Sequence, residues 1–230
     1  MARSGPLPTR VYPPWRVRDR GAAGEKTMRW ILSVLMVWVA AAPLAHADRL
    51  INIPTGETLS LGAFRVAAAR RFGDFTRLNA EVGLPLRFEV NLEHVDRDDD
   101  GSDTGVGGQF RLLSENVALP ALSVGVVDIA DDTPRGRGIF LVASKRLPFT
   151  ERLPGPGRDF RVHLGVGADR FSGVFAGAEV GLLPRIRGVA EFDSEDFNFG
   201  IWWDAAPMLR VRTELHDGDF VLGAQLRVSR

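Results

Sequence analysis

The chain has 230 residues, 29 Lys or Arg against 29 Asp or Glu, 45% hydrophobic residues and no cysteine. That length suffices for one sizeable domain, and the lack of cysteine excludes a disulfide scaffold and a lipid-anchoring thiol. The formal charge of zero hides an asymmetry: residues 1–47 carry seven Lys or Arg and two Asp or Glu, which leaves 22 basic and 27 acidic residues beyond them. Such an acid-leaning remainder argues against nucleic acid as a partner.

The first segment reads as a targeting signal. Met28-Arg29 precedes WILSVLMVWVAAAP, and Ala45-His46-Ala47 follows. A positive start, an apolar run of about 13 residues and a small-x-small site have the proportions of a secretory signal. The run is short of the roughly 18 residues of a spanning helix. Residues 28–47 are therefore read as a signal peptide cleaved near Ala47, residues 1–27 as a wrongly assigned extension or a long n-region, and residues 48–230 as one β-barrel domain. Gly21–Thr27 (GAAGEKT) lacks the spacer and preceding strand of a phosphate loop.

Beyond Ala47 no helical period is present, and a chain without a second long apolar run can enter a membrane only as a closed barrel. Pro54 and Gly56 mark a turn, and the first strand is expected over Glu57–Ala69. Others follow at Phe75–Leu84, Arg87–Val95, Val106–Glu115, Ala121–Ile129 and Gly138–Leu147. From Arg158 to Val228 runs a train of six alternating segments: RDFRVHLGVG, GVFAGAEVGL, IRGVAEFD, FNFGIWWD, LRVRTELHD and DFVLGAQLRV. Alternation of period two gives each strand an apolar and a polar face. Within the fourth of these, Phe197, Phe199, Ile201 and Trp203 oppose Asn198, Gly200 and Asp204, with Trp202 the exception. Short links make consecutive strands antiparallel, and Asp217-Gly218 is a strong turn pair. The expected fold is all-β, an antiparallel up-and-down transmembrane β-barrel of about 12 strands.

One parity carries Arg87, Glu89, Glu93, Arg161, His163, Glu179, Arg187, Glu191, Arg210, Arg212, Glu214 and Arg227. A charge facing lipid near the bilayer midplane costs roughly 2–4 kcal/mol, so these residues are expected to line a lumen. Mixed signs allow two arrangements: a polar channel with a transverse field, or a lumen closed by Arg–carboxylate pairs. A soluble periplasmic β-barrel or sandwich binding a small ligand has the same alternation, with the Phe/Leu/Val parity turned into a dry core.

Other motifs carry less. Asp96, Asp98, Asp100 and Asp103, with Gly101, begin a calcium-loop pattern, but Gly107 stands where the bidentate Glu belongs. A solvated acidic loop is the expectation. His94, His163 and His216 lie on separate segments without metal-ligand spacing. Ser144 and His163 fall on neighbouring strands without a Gly-x-Ser-x-Gly elbow, so no enzyme is expected. Gly165-Val-Gly167 reads as strand packing rather than half a dinucleotide fingerprint. No cofactor is expected.

The opening LINIPTGETL (Leu50–Leu59) resembles the start of the YjbH-type outer-membrane β-barrel proteins associated with exopolysaccharide. So do PALSVGVVDI (Pro120–Ile129), FLVASKRL (Phe140–Leu147), the hairpin over Phe175–Trp203 and the closing DGDFVLGAQL (Asp217–Leu226). The resemblance implies an outer-membrane barrel of a Gram-negative-type cell, in a short single-barrel version. It also implies a pore-like or structural envelope role in exopolysaccharide export or organisation. Outer-membrane lipid, and polysaccharide or small hydrophilic solutes, are the expected partners.

Overall fold

The computed structural model describes residues 49–98, 101–147 and 159–229. Residues 1–48, with the expected signal peptide, and Asp100 of the expected acidic loop lie outside these. Twelve strands follow one another: β1 (Phe64–Arg71), β2 (Phe75–Leu84), β3 (Phe88–Arg97), β4 (Gly101–Leu113), β5 (Ala121–Val127) and β6 (Gly138–Arg146), then β7 (Phe160–Asp169), β8 (Gly173–Leu183), β9 (Ile186–Phe192), β10 (Phe197–Ala206), β11 (Leu209–His216) and β12 (Asp219–Val228). Every neighbour pair is antiparallel, and β1 closes on β12 from Phe64↔Val228 to Arg71↔Val221. This is the up-and-down barrel that the period-two alternation predicts, with no open sheet edge. Register shifts interrupt the pairing at Arg111/Leu113, Gly181/Leu183 and Asp204/Ala206, all at the end where the C-terminus emerges. Bulges at a barrel rim let strands bend and splay there.

The apolar parity faces outward. Leu78, Leu92, Val106, Leu141, Leu164, Ile201, Trp203 and Leu222 are exposed on β2, β3, β4, β6, β7, β10 and β12, forming a hydrophobic belt. The opposite parity is buried although much of it is charged: Arg65, Glu81, Glu93, Arg161, Glu179, Glu191, Arg210 and Glu214. A soluble protein inverts this order.

Two expectations need correction. The first strand begins at Phe64, not Glu57. Gly62, at φ 75°, turns the chain, and the Ala63 N–H bonds the Ser60 carbonyl at 3.0 Å. Residues before this turn leave the wall and enter the lumen. Arg87 does not line the lumen. Pro85–Arg87 is a 3-10 turn with Leu86 and Arg87 at positive φ, so the ladder starts at Phe88 and Arg87 is exposed at the barrel end.

Candidate functional site

The lumen is occupied by the chain's own N-terminal segment, Leu50–Leu59. Its backbone has no strand partner. A buried amide N–H needs an acceptor, and here wall side chains supply it. Glu191 accepts the N–H groups of Ile51, Asn52 and Ile53 at 2.9, 2.8 and 3.3 Å. Ser144 Oγ accepts Gly56 N–H at 2.7 Å, and Glu89 accepts Leu59 N–H at 2.7 Å. The plug carbonyls are met in turn. Arg212 donates to Leu50 O at 2.8 Å, Gln109 Nε2 to Thr55 O and Glu57 O at 2.9 Å each, and Ser123 Oγ to Gly56 O at 2.7 Å. Pro54 has no N–H to satisfy.

Shape complements this pairing. Leu50, Ile51 and Ile53 pack in a buried cluster with Val127, Phe140, Val142, Phe171, Phe175, Val189 and Trp202. Burying each such aliphatic side chain contributes about 1.5–3 kcal/mol. A Cβ on Gly177 would lie 2.2 Å from Leu50 Cδ2, and one on Gly56 2.7 Å from the Ala121 carbonyl oxygen. Only glycine allows these two approaches. The lumen thus has an apolar sector as well as a charged one.

The charged parity is paired within the lumen. Arg161 meets Glu57 of the plug at 2.5 Å, and Arg187 meets Glu179 at 3.3 Å. Glu214 accepts from Arg212 Nε at 2.6 Å and Trp202 Nε1 at 3.2 Å, and lies 3.0 Å from His216 Nε2. Arg210 and Arg212 both sit against the Trp202 ring, at 4.7 and 4.9 Å. Glu93 is ringed by Arg49, Arg77 and Arg170 at 3.2, 3.5 and 3.4 Å. Glu89, Arg161, His163, Glu179, Glu191, Arg210 and Glu214 are buried, whereas Arg187, Arg212 and Arg227 are half-buried on the same parity. Arg227 faces the mouth at the C-terminal end.

The opposite mouth is narrowed by the β5–β6 loop. Asp128, at φ 47°, accepts from the N–H groups of Asp132 and Thr133 and from Thr133 Oγ1, folding the loop on itself. Arg135 of this loop donates to Asn52 Oδ1 of the plug and lies 3.5 Å from Asp193. Asn52 in turn donates to Asp193 at 3.0 Å. Burial raises the Asp193 carboxyl. The N–H groups of Asp196 and Glu195, the Asn52 amide and the Arg135 charge outweigh it, and hold that carboxyl below its ordinary range. Burial, with repulsion from Arg170 and Arg77, pushes the Arg135 guanidinium down to about 9.

Ser144, His163 and Glu179 form a buried chain. Ser144 Oγ is 2.7 Å from His163 Nδ1, and His163 Nε2 is 3.2 Å from Glu179. The order resembles a hydrolytic triad. However, the Gly56 N–H points at Oγ, which places that oxygen near the Thr55–Gly56 amide plane. Attack on a carbonyl carbon comes from above that plane, so in this arrangement the hydroxyl serves as an anchor.

Among the described residues of the β3–β4 hairpin, the acidic side chains do not converge. Asp98 lies 3.9 Å from Arg70 and Asp103 2.7 Å from Arg97, and Asp96 is exposed on the outward parity. Among the described residues no cluster of three or more His, Asp or Glu could hold a metal. His94 faces outward near the rim, 2.8 Å from Thr104 Oγ1. Sequence reasoning missed the plug itself and its neutral partners Gln109 and Ser123, and met Ser144 only as a neighbour of His163. The available signal was Trp202, whose break in alternation marks the inward aromatic.

Among solved structures, a KdgM porin aligns with a TM-score of 0.49 at 10% identity, covering 71% of this chain and 98% of that one. Among curated proteins none matches. The profile of the family described as exopolysaccharide biosynthesis protein YbjH matches residues 49–187, from the first described residue through the plug and into β9. The chain therefore belongs to the YjbH family.

Proposed function

We propose that this protein is an outer-membrane barrel whose resting state is closed by its own N-terminal segment, and that it serves exopolysaccharide export or organisation at the cell envelope. The observation that carries this reading is the match between plug and wall. Backbone groups of Leu50–Leu59 are bound by side chains from β3, β4, β5, β6, β9 and β11. A segment held at so many points fills a lumen rather than visiting it. The outward belt of Phe, Leu, Ile and Val suits lipid, and the family supplies the link to exopolysaccharide.

The test has two stages. Inner membrane, outer membrane and soluble fractions are separated, and boiled and unboiled samples are compared on a gel. Outer-membrane recovery with a mobility shift on boiling supports the barrel; a soluble protein without a shift overturns it in favour of a periplasmic ligand-binding barrel. Planar-bilayer recording then expects a silent protein that conducts once the plug anchors are weakened by Glu191→Ala with Arg212→Ala. Steady conductance of the unaltered protein would show that the plug is not the resting state.

A further inference from the structure

At Gly56 the plug is pressed against the wall. Its N–H is held by Ser144 and its carbonyl by Ser123, both at 2.7 Å. A Cβ there would also meet the Ser144 amide nitrogen at 2.9 Å. Behind Ser144 stands His163, and behind His163 stands Glu179. Ser144 and His163 are 1% and 2% exposed, so their polar hydrogens are placed by protein neighbours and not by bulk water.

Those neighbours fix the tautomer. An ionised Glu179 only accepts, so His163 Nε2, 3.2 Å away, carries a proton. In the uncharged ring Nδ1 is then bare and accepts the Ser144 hydroxyl at 2.7 Å. That leaves Oγ to accept the Gly56 N–H, and the path from Glu179 to the plug backbone is complete. A second proton, on Nδ1, reverses one link. Nδ1–H and Gly56 N–H then converge on Oγ, and the hydroxyl hydrogen loses its acceptor. Among the described residues, His163 and Gly56 are the hydrogen-bond partners of this hydroxyl. A buried donor without an acceptor is costly, and the link that can yield is the one to the plug. The charged groups facing His163 are engaged elsewhere. Arg146 on β6 pairs with Asp159 at 3.3 Å, Arg161 on β7 with Glu57 of the plug, and Arg187 on β9 with the other oxygen of Glu179 at 3.3 Å. Glu191, opposite Gly177 on β9, is taken by plug N–H groups, and β5 brings only the uncharged Ala121 and Ser123 to this face.

We infer that Ser144, His163 and Glu179 form a proton-controlled latch on the plug: a neutral His163 lets Ser144 hold Gly56, and proton uptake by His163 loosens that hold. The inference rests on the plug reading above and names its regulation. Imidazole is the side chain whose charge ordinarily changes between about pH 5 and 8, so the stimulus is mild acidification. The hold is present at the alkaline end of that range and weakens as pH falls.

The chain has no cysteine, so one introduced thiol reports on the plug. Thr58→Cys suits this purpose, because Thr58 is buried and its hydroxyl has no hydrogen-bond partner among the described residues. Maleimide labelling of the full chain, purified in detergent, is timed at about pH 8 and about pH 5.5, which brackets the imidazole range. Each rate is divided by that of the exposed Ser60→Cys at the same pH, which removes the thiol's own pH dependence. The corrected rate is expected to rise about fivefold on acidification, the factor that one lost hydrogen bond corresponds to. His163→Asn keeps an acceptor for Ser144 but does not titrate, and should hold the rate at its alkaline value. Ser144→Ala should raise the rate at both pH values and abolish the change. His216→Asn, at the other buried histidine among the described residues, should leave the change intact. The boiling shift verifies that each variant is folded. A level rate in the chain carrying Thr58→Cys alone overturns the latch. So does a pH response that survives His163→Asn or Ser144→Ala, or one that His216→Asn removes. Failure of the plug reading is distinguishable, because it gives Thr58→Cys the rate of Ser60→Cys already at the alkaline pH.

Discussion

Trp202 and Trp203 are chain neighbours in β10, yet one is 1% exposed and the other 51%. Trp202 points into the lumen, where it donates to Glu214 and carries two guanidinium groups on its ring. Trp203 points out with Phe199 and Ile201 into the hydrophobic belt. The same side chain thus meets a charged, hydrogen-bonded interior on one face and an apolar surround on the other. The difference shows that the wall sorts chemistry by parity alone, and that here the polar side is the packed one. The inner face holds the plug; the outer face needs only to be apolar.

The contrast can be broken most severely from inside. Glu191→Ala strips the acceptor from three buried N–H groups of the plug. The expected loss is about 3–5 kcal/mol, because each orphaned donor costs its desolvation. Urea unfolding in lipid vesicles measures it, and a loss below about 1 kcal/mol would mean that water replaces the carboxylate freely. From outside, Ile201→Arg places a charge in the belt and should cost roughly 2–4 kcal/mol in vesicles. A neutral effect would indicate that this face meets water. Ser144→Ala removes one acceptor at Gly56 and is expected to cost about 1–2 kcal/mol, a smaller shift on the same unfolding curve.

The smallest effect lies at the mouth and sharpens the comparison by pH. Asp193 and Asp128 both have carboxyls held below their ordinary range, Asp128 by Thr133 and the Asp132 and Thr133 N–H groups against the opposing effect of burial. Their stabilisation is therefore fully present above the unfolded-state value and is lost as pH falls through the depressed folded value. Amide protection factors in the β5–β6 loop, with the intrinsic pH dependence of exchange divided out, should fall as pH drops below the ordinary carboxylate range while the wall strands stay protected. Protection factors in the loop that stay level through acid pH would contradict this assignment.

Much of the wall was legible in the sequence, because a period of two survives in every strand. The twelve strands, and the inward face from Glu89 to Glu214, follow from alternation and from the cost of a charge in lipid. Arg87 was misplaced by one structural step: the turn at Pro85 takes it out of the ladder while leaving the parity count unbroken. The plug was illegible for a different reason. Glu57–Ala69 alternates well enough to pass for one strand, and what pulls its first residues inward lies far along the chain. Ile51 and Glu191 are 140 residues apart. Side chains satisfy a backbone segment without leaving a local pattern. What separates an open from a plugged lumen is therefore contact across the barrel, not any local pattern.

The plug's separation from its partners also sets an order of assembly. Leu50–Ile53 precede β1, yet their anchors Glu191 and Arg212 sit on β9 and β11, near the other end of the chain. The first part of the barrel to be made is thus among the last to be satisfied, and contacts that span such loops form late. Once the β1–β12 seam zips shut, the segment is enclosed by the wall it helped to shape. It behaves as a casting core left inside its mould, one that fixes the bore while the hairpins close around it.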